Sequence, residues 1–396
     1  MADVLDNHNL PDATKATRGN PAPQDPSKFV YFHSGSKASY RPITGTQTAF
    51  TSIPTIDLTN IDSPSLELRQ VIAKEMYTAC HDVGFFYVVN HGIPQSVIDD
   101  AFKLLKRFFA LERDVKMDAH VQKNPAIRGY EPMGETKLDP RTRGDVKEAF
   151  TMGDCPLEPE QDYVGRTGQP PPSHLKRPQN IWPSEAPWWR EGLYQYYNHV
   201  FPLAMKLVKL FALGLGLPEG ELDQYFKFPI TGMRPLYYPP TPVDNDNKDV
   251  TNVGLGAHSD FDWLTLVLQD SVPALEVLNQ SGQWVSAPPT PGTLVCNVGQ
   301  FLERQTNGLF PATVHRVRNL TGLERYSLPF FLTMDVDTEV DVLECCQREG
   351  EEKQYEKVKV SDLYIRRILP ARAKHPTAIK YKDVPEDQWT YDMLLQ

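Results

Sequence analysis

Between Thr231 and about Met334 the chain is a succession of short β-rich runs separated by Pro and Gly turns, and this texture restricts the fold more than any other feature. Many short strands at regular spacing suggest a sandwich or jelly roll. Upstream the period changes. Leu68, Val71, Ile72, Met76 and Ala79 keep helical spacing behind Ser63 and Pro64, which read as N-cap and first helical position. The run Gly84-Phe85-Phe86-Tyr87-Val88-Val89 reads as a buried strand closed by Asn90-His91-Gly92. Val97, Ala101, Leu104, Phe108 and Leu111 mark a second amphipathic helix, and Tyr197, Phe201, Ala204, Val208, Phe211 and Leu215 a third. The picture is an α+β chain with helices packed around a β-core.

Four stretches follow from this pattern. Residues 1–50 are rich in Pro, Asn, Asp, Ser and Thr without apolar period and are expected to be a mostly disordered arm, with Phe29 to Phe32 docking onto the body. Residues 51–190 form an N-terminal α/β region that includes a Pro-rich excursion from Asp154 to Pro187, a candidate lid or rim. Residues 191–370 hold the third helix and the β-core, with a last helix near Val360 to Ile368, and 371–396 are a C-terminal tail.

Charge and cysteine narrow the class. A net charge of −10 supplies no basic face for nucleic acid. No apolar run approaches the roughly 18 residues of a membrane span, and the polar N-terminus lacks the apolar core of a secretory signal. Cys80, Cys155, Cys296, Cys345 and Cys346 form no CxxC pair and read as reduced thiols, so a cytoplasmic location is expected. The Asn279 and Asn319 glycosylation patterns are then chance matches. A small molecule is the expected partner, with no obligatory protein partner.

The chemistry gathers in three places. In Gly256-Ala257-His258-Ser259-Asp260, residues two apart on a strand share a face, so His258 and Asp260 can reach one metal. A His-x-Asp pair alone is more often a surface turn. His315, inside Pro311-Ala312-Thr313-Val314-His315-Arg316-Val317, adds a second imidazole, although taken singly it reads as a core histidine. Two imidazoles and a carboxylate on one face leave three open positions, which suits iron(II) handling a chelating cosubstrate and O₂. Arg325-Tyr326-Ser327 places a guanidinium fork and a hydroxyl on one strand face inside an apolar run. An arginine buried there needs an anion, and a ligand carboxylate is a natural one.

These residues sit among others in a familiar order. Ile53-Pro54-x-Ile56-Asp57, Gly84-Phe85-Phe86, Asn90-His91-Gly92-Ile93-Pro94, Arg128-Gly129-Tyr130 and Lys147-Glu148-Ala149-Phe150 come first. Tyr237-Tyr238-Pro239-Pro240, His258-x-Asp260, Pro291-Gly292-Thr293, Asn297-x-Gly299, His315-Arg316-Val317 and Arg325-x-Ser327 follow. Over about residues 53–370 the chain resembles the iron(II)/2-oxoglutarate dioxygenases of the isopenicillin N synthase-like family. The resemblance implies a double-stranded β-helix (jelly-roll) core and a catalytic metal triad of His258, Asp260 and His315. It also implies that Arg325, Ser327 and Tyr238 hold the distal carboxylate of 2-oxoglutarate, and that Phe261, Phe331 and Phe150 border the substrate. Fe(2+), 2-oxoglutarate and O₂ are the implied cofactors, with ascorbate as a candidate reductant. Hydroxylation is the default outcome, with desaturation or ring formation as variants.

Two positions depart from the family pattern: Leu236 stands where an Asn near the cosubstrate is common, and Gln300 where an acid is usual after Asn-x-Gly. The motifs leave open an iron(II) oxidase of the same family that uses no 2-oxoglutarate. A zinc hydrolase would leave Arg325-x-Ser327 unexplained, and a non-catalytic binding protein would normally have lost a ligand.

Overall fold

The computed structural model describes residues 28–34, 37–42, 49–135, 145–153, 178–240, 254–347, 350 and 352–395. Most of the Pro-rich excursion, with Cys155, lies outside them, as do residues 1–27.

Strands β1 (Phe29–Ser34) and β2 (Lys37–Pro42) make a hairpin inside the segment expected to be an arm. β3 (Thr55–Asp57) leads into helix α1 (Leu66–Asp82) and strand β4 (Phe85–Val89). Helix α1 starts two residues later than Ser63 and Pro64 suggest. Ser63 Oγ accepts from the Ser65 amide in a turn, and Ser65 is the cap, accepting from the Leu68 amide at 3.4 Å. Helices α2 (Gln95–Phe109) and α3 (Arg113–Asp118) follow, then β5 (Gly129–Glu131) and β6 (Glu148–Gly153). Helix α4 (Pro187–Gly214) is longer than its predicted apolar stripe, because a proline at its first turn and buried Trp189 and Leu193 extend it backwards.

The β-core then runs β7 (Pro229–Met233), β8 (Leu236–Tyr238), β9 (Leu255–His258), β10 (Leu264–Gln269) and β11 (Leu275–Leu278). After β12 (Trp284–Ser286) and β13 (Thr293–Val298) come helix α5 (Gln300–Gln305), β14 (His315–Val317) and the long β15 (Arg325–Asp335). A short pair, β16 (Glu339–Val340) and β17 (Val358–Lys359), precedes helices α6 (Val360–Ala371) and α7 (Pro376–Lys380).

Two sheets make the jelly roll. The larger has the order β3-β4-β13-β10-β15-β7-β6-β5, with β8 paired to β15 and β6, and the smaller the order β12-β11-β14-β9-β1-β2. Helix α4 covers the larger sheet: Phe211 meets Trp263 edge-on at 5.0 Å, and Trp189 stacks on Phe108 of α2 at 3.9 Å. The stretch 371–396 packs back onto the body, since Trp389, Tyr391 and Leu394 are buried in the main core. Asn279 is buried, donating to the Phe50 carbonyl and accepting from the Gln283 amide, so its glycosylation pattern is inaccessible in the fold. No described helix is long and apolar enough to cross a membrane.

Candidate active site

The two histidines meet across a strand pair. His315 on β14 lies opposite His258 at the end of β9, with ring centroids 4.3 Å apart. Each ring is latched to its own backbone: Nδ1 of His258 donates to the Gly256 carbonyl at 2.8 Å, and Nδ1 of His315 to the Thr313 carbonyl at 3.2 Å. That fixes the tautomer and leaves both Nε2 atoms as lone-pair donors pointing the same way.

Asp260 completes the face, though not by strand alternation. β9 ends at His258, and the chain turns so that the Asp260 carbonyl accepts from the Gln300 amide. Its Oδ1 stands 3.5 Å from His258 Nε2 and 3.7 Å from His315 Nε2. Ligand atoms of the three residues all lie within 4.8 Å of one another, a face on which one divalent ion fits.

The other carboxylate oxygen is anchored. Thr265 on β10 and Asn297 on β13 are directly opposite in the ladder, and both reach Asp260 Oδ2, at 2.6 and 2.8 Å. Burial opposes ionisation of Asp260, but His315 and His258, when protonated, and the Thr265 hydroxyl lower its carboxyl below the usual range. Burial keeps His315 neutral, with its pKa lowered to about 4. Asp262 is pushed the other way, well above the carboxylate range, by burial and by Asp260. Its Oδ2 is 2.8 Å from Thr265 Oγ1. The Thr265 hydroxyl thus stands between the two carboxyl groups, within donating distance of Asp260 Oδ2 and of Asp262 Oδ2.

The same cavity, of about 260 Å³, is walled by Arg325, Ser327 and Tyr238. Arg325 is 1% exposed; its Nη1 donates to Ser327 Oγ and its Nη2 to Gln269 Oε1, both at 3.3 Å, and the Tyr238 ring lies 5.0 Å away. Register explains the grouping: Arg325 pairs with Tyr238 and Ser327 with Leu236. Arg325 Nε and the Tyr238 hydroxyl are buried without a hydrogen-bond partner. A fork and a hydroxyl left open in this way fit one end of a carboxylate ligand. Leu236 offers that ligand only carbon. Gln300, the second departure from the family pattern, donates to Ser259 Oγ at 2.8 Å, between two triad residues.

Phe261 and Phe331 line the cavity, and Phe261 meets Tyr364 edge-on at 5.7 Å. Phe150 does not line it. On β6 its neighbours Thr151 and Met152 face the cavity, while Phe150 points into an aromatic cluster, 5.5 Å from Phe108 and from Trp189 and 5.4 Å from Trp182. Sequence reading missed Thr265 altogether and gave Asn297 no role beyond its place in Asn-x-Gly. It also missed Arg234 and Arg372 of the cavity wall, whose partner Glu131 is remote from both in sequence.

Comparison with known proteins agrees with this geometry. Residues 53–185 match the family model described as non-haem dioxygenase in morphine synthesis, N-terminal, and residues 230–334 match that of the 2OG-Fe(II) oxygenase superfamily. A 2-oxoglutarate-Fe(II) type oxidoreductase, ppzC of Metarhizium rileyi, is 33% identical over 80% of this chain and 86% of its own length. The chain belongs to the 2OG-Fe(II) oxygenase superfamily. It is a 2-oxoglutarate- and iron(II)-dependent dioxygenase acting on a small molecule, with O₂ as co-reactant. A homoarginine-6-hydroxylase of Glycine max is 35% identical over 75% of this oxygenase and 90% of its own length. Among solved structures, a 2OG-Fe(II) oxygenase family protein from Caulobacter crescentus superposes with a TM-score of 0.66 at 31% identity, covering 78% of this chain and 96% of that one. The dioxygenase for auxin oxidation in rice shares the fold, with a TM-score of 0.60 at 24% identity over 79% of this chain and 93% of that one.

Proposed function

We propose that His258, Asp260 and His315 hold the iron, that Arg325, Ser327 and Tyr238 hold the far carboxylate of 2-oxoglutarate, and that the enzyme oxidises an unactivated C–H bond of a small specialised metabolite. The observation that carries this reading is the pairing, in one cavity, of an open three-donor face with a buried guanidinium whose Nε has no acceptor.

Iron(II) with 2-oxoglutarate and O₂ supplies the oxidising power, the cosubstrate ending as succinate and CO₂. The chain's own work is placement. The Nδ1 latches aim two lone pairs, Thr265 and Asn297 fix the carboxylate, and Arg325 sets the far end of the cosubstrate. Phe261 and Phe331 then border the substrate and keep water from it. Hydroxylation is the default, and desaturation or ring formation needs only a different fate for the substrate radical. The absence of CxxC pairs supports a reducing, cytoplasmic setting.

The test is succinate release with iron(II), 2-oxoglutarate and a panel of candidate substrates. Stranding a buried carboxylate costs about 2–5 kcal/mol. Arg325→Ala therefore raises the KM for 2-oxoglutarate roughly 30-fold or more, at about 1.4 kcal/mol per tenfold, and leaves iron affinity unchanged. Full product formation without 2-oxoglutarate would instead make the protein an oxidase of the same family.

A further inference from the structure

The cavity that holds the metal face continues into a lobe whose charge is of one sign. Arg128, Arg234, Arg367 and Arg372 all stand in its wall, whereas the carboxylates of the wall, among the described residues, are Asp260 and Asp262 beside the metal face. Helix α6 supplies part of this surface because Tyr364, Arg367, Ile368 and Ala371, with Arg372 at its C-cap, recur at helical spacing on one face. Met152, Ile230, Phe331 and Ile368 add apolar surface to the same wall, with Thr151, Thr231 and Thr333 among them.

Arg234 and Arg372 are the informative pair. They share one acid lying behind the wall: Arg234 Nη2 donates to Glu131 Oε2 at 2.8 Å and Arg372 Nη2 to Glu131 Oε1 at 3.3 Å. Glu131 is 1% exposed, and its Oε1 also accepts from Thr151 Oγ1 at 2.8 Å. Each arginine keeps an unused donor beyond this acid, since its Nε is buried without a partner. Lys147 and Asp145, 3.9 Å apart, lie in the same cluster.

The two ends of the cavity differ in how charge closes. At the metal end a divalent ion and Arg325 would offset Asp260 and the two carboxylates of 2-oxoglutarate. At the other end, among the described residues, arginines line the wall with no carboxylate beside them in it. Two guanidiniums side by side, each with an open N–H, match the two oxygens of one carboxylate.

We infer that the substrate is an organic acid with an apolar or aromatic body, whose carboxylate is held by Arg234 and Arg372 in place of water. The inference deepens the oxygenase reading of this cavity and rests on it. The arginine pair would then set which C–H bond faces the metal, because the acid's fixed end determines how far its body reaches.

The experiment uses the protein loaded with Mn(II) and 2-oxoglutarate, titrated calorimetrically with hydrocinnamic, octanoic and 4-hydroxybenzoic acids and with the primary amide of each. At least one acid binds about tenfold or more tightly than its amide. Arg234→Gln and Arg372→Gln each remove that preference while the Kd for 2-oxoglutarate changes by less than about twofold. Glu131→Gln frees both guanidiniums and tightens the acid, a sign that loss of folding cannot mimic. No preference for acid over amide in any pair overturns the inference. So does an acid response lost in Arg325→Gln but kept in Arg372→Gln, which would put the probe in the cosubstrate site. Weakened acid binding in Glu131→Gln overturns it too, leaving a purely structural ion cluster. If 2-oxoglutarate fails to bind the metal-loaded protein, the oxygenase reading falls and takes this inference with it; if it binds normally while acid and amide bind alike, only the inference falls.

Discussion

Replacing Asn297 with Ala tests whether the ladder beneath the site, and not the three ligands alone, sets its metal affinity. Asn297 is buried, and its side chain gives one of two hydrogen bonds that hold Asp260 Oδ2 while Oδ1 faces the imidazoles. A hydrogen bond to a charged acceptor contributes about 1.5–3 kcal/mol. If all of it serves to orient the ligand, metal affinity falls by roughly 10- to 100-fold, the range typical of lost outer partners of a metal ligand. Thr265→Val removes the other bond to the same oxygen, so the double variant should be non-additive. Affinity for iron(II) is measured by competition with a chelator, and 2-oxoglutarate affinity on protein saturated with metal. The first falls and the second holds within about twofold, the reverse of the Arg325→Ala pattern. An Asn297→Ala protein with wild-type metal affinity and unchanged thermal stability would refute the argument that the ladder positions the carboxylate.

Two further outcomes follow from buried groups near the site. Burial and the neighbouring Arg234 lower the Lys147 pKa to about 7, against the pull of Asp145 and Glu131, so between about pH 7 and its ordinary value of 10.5 the unfolded chain binds a proton that the native state lacks. Its contribution therefore makes stability rise with pH through that window, and Lys147→Met should flatten the rise in urea midpoints measured at pH 7, 8 and 9; an unchanged slope would count against the buried lysine as its source. At Gly299 an added Cβ would lie 2.1 Å from the Asp262 carbonyl oxygen and 2.2 Å from its Oδ1. Gly299→Ala should thus lower the melting temperature by about 2 °C or more and weaken metal binding, and a melting curve identical to wild type would show that the turn yields freely.

The His258–Asp260 and Arg325–Ser327 pairs were legible as spacings of two in β-rich runs, and only the resemblance joined His315 to the first. Asp260 joins the two histidines by another local route than the strand alternation expected: β9 stops at His258 and a turn held by the Gln300 amide aims the carboxylate. Phe150, which only the resemblance put beside the substrate, turns instead into the aromatic cluster, since a family block does not say which face of its strand meets the cavity. Thr265 and Asn297 carry no signal individually, since their function arises from ladder register across 32 residues of sequence. The pairing of Arg234 and Arg372 through Glu131 was illegible for the same reason, its members coming from a strand edge, the end of a helix and a distant strand. The Ser63 cap failed by two residues, within the ordinary imprecision of helix starts.

Strand β4 is hydrogen-bonded along five residue pairs to β13, and β6 to both β7 and β8. The N-terminal half therefore weaves through the sheet that carries Asn297 and Arg325, and supplies Thr151 and Met152 to the cavity wall. The two stretches that family comparison separates are not interchangeable parts. A chimera joining the first half of one relative to the second half of another would inherit mismatched seams where β4 meets β13 and where β6 meets β7 and β8, and would alter the binding wall in the same stroke. Change in substrate range along such a lineage is accordingly confined to side chains and loops, with the splice between halves held fixed by the ladder.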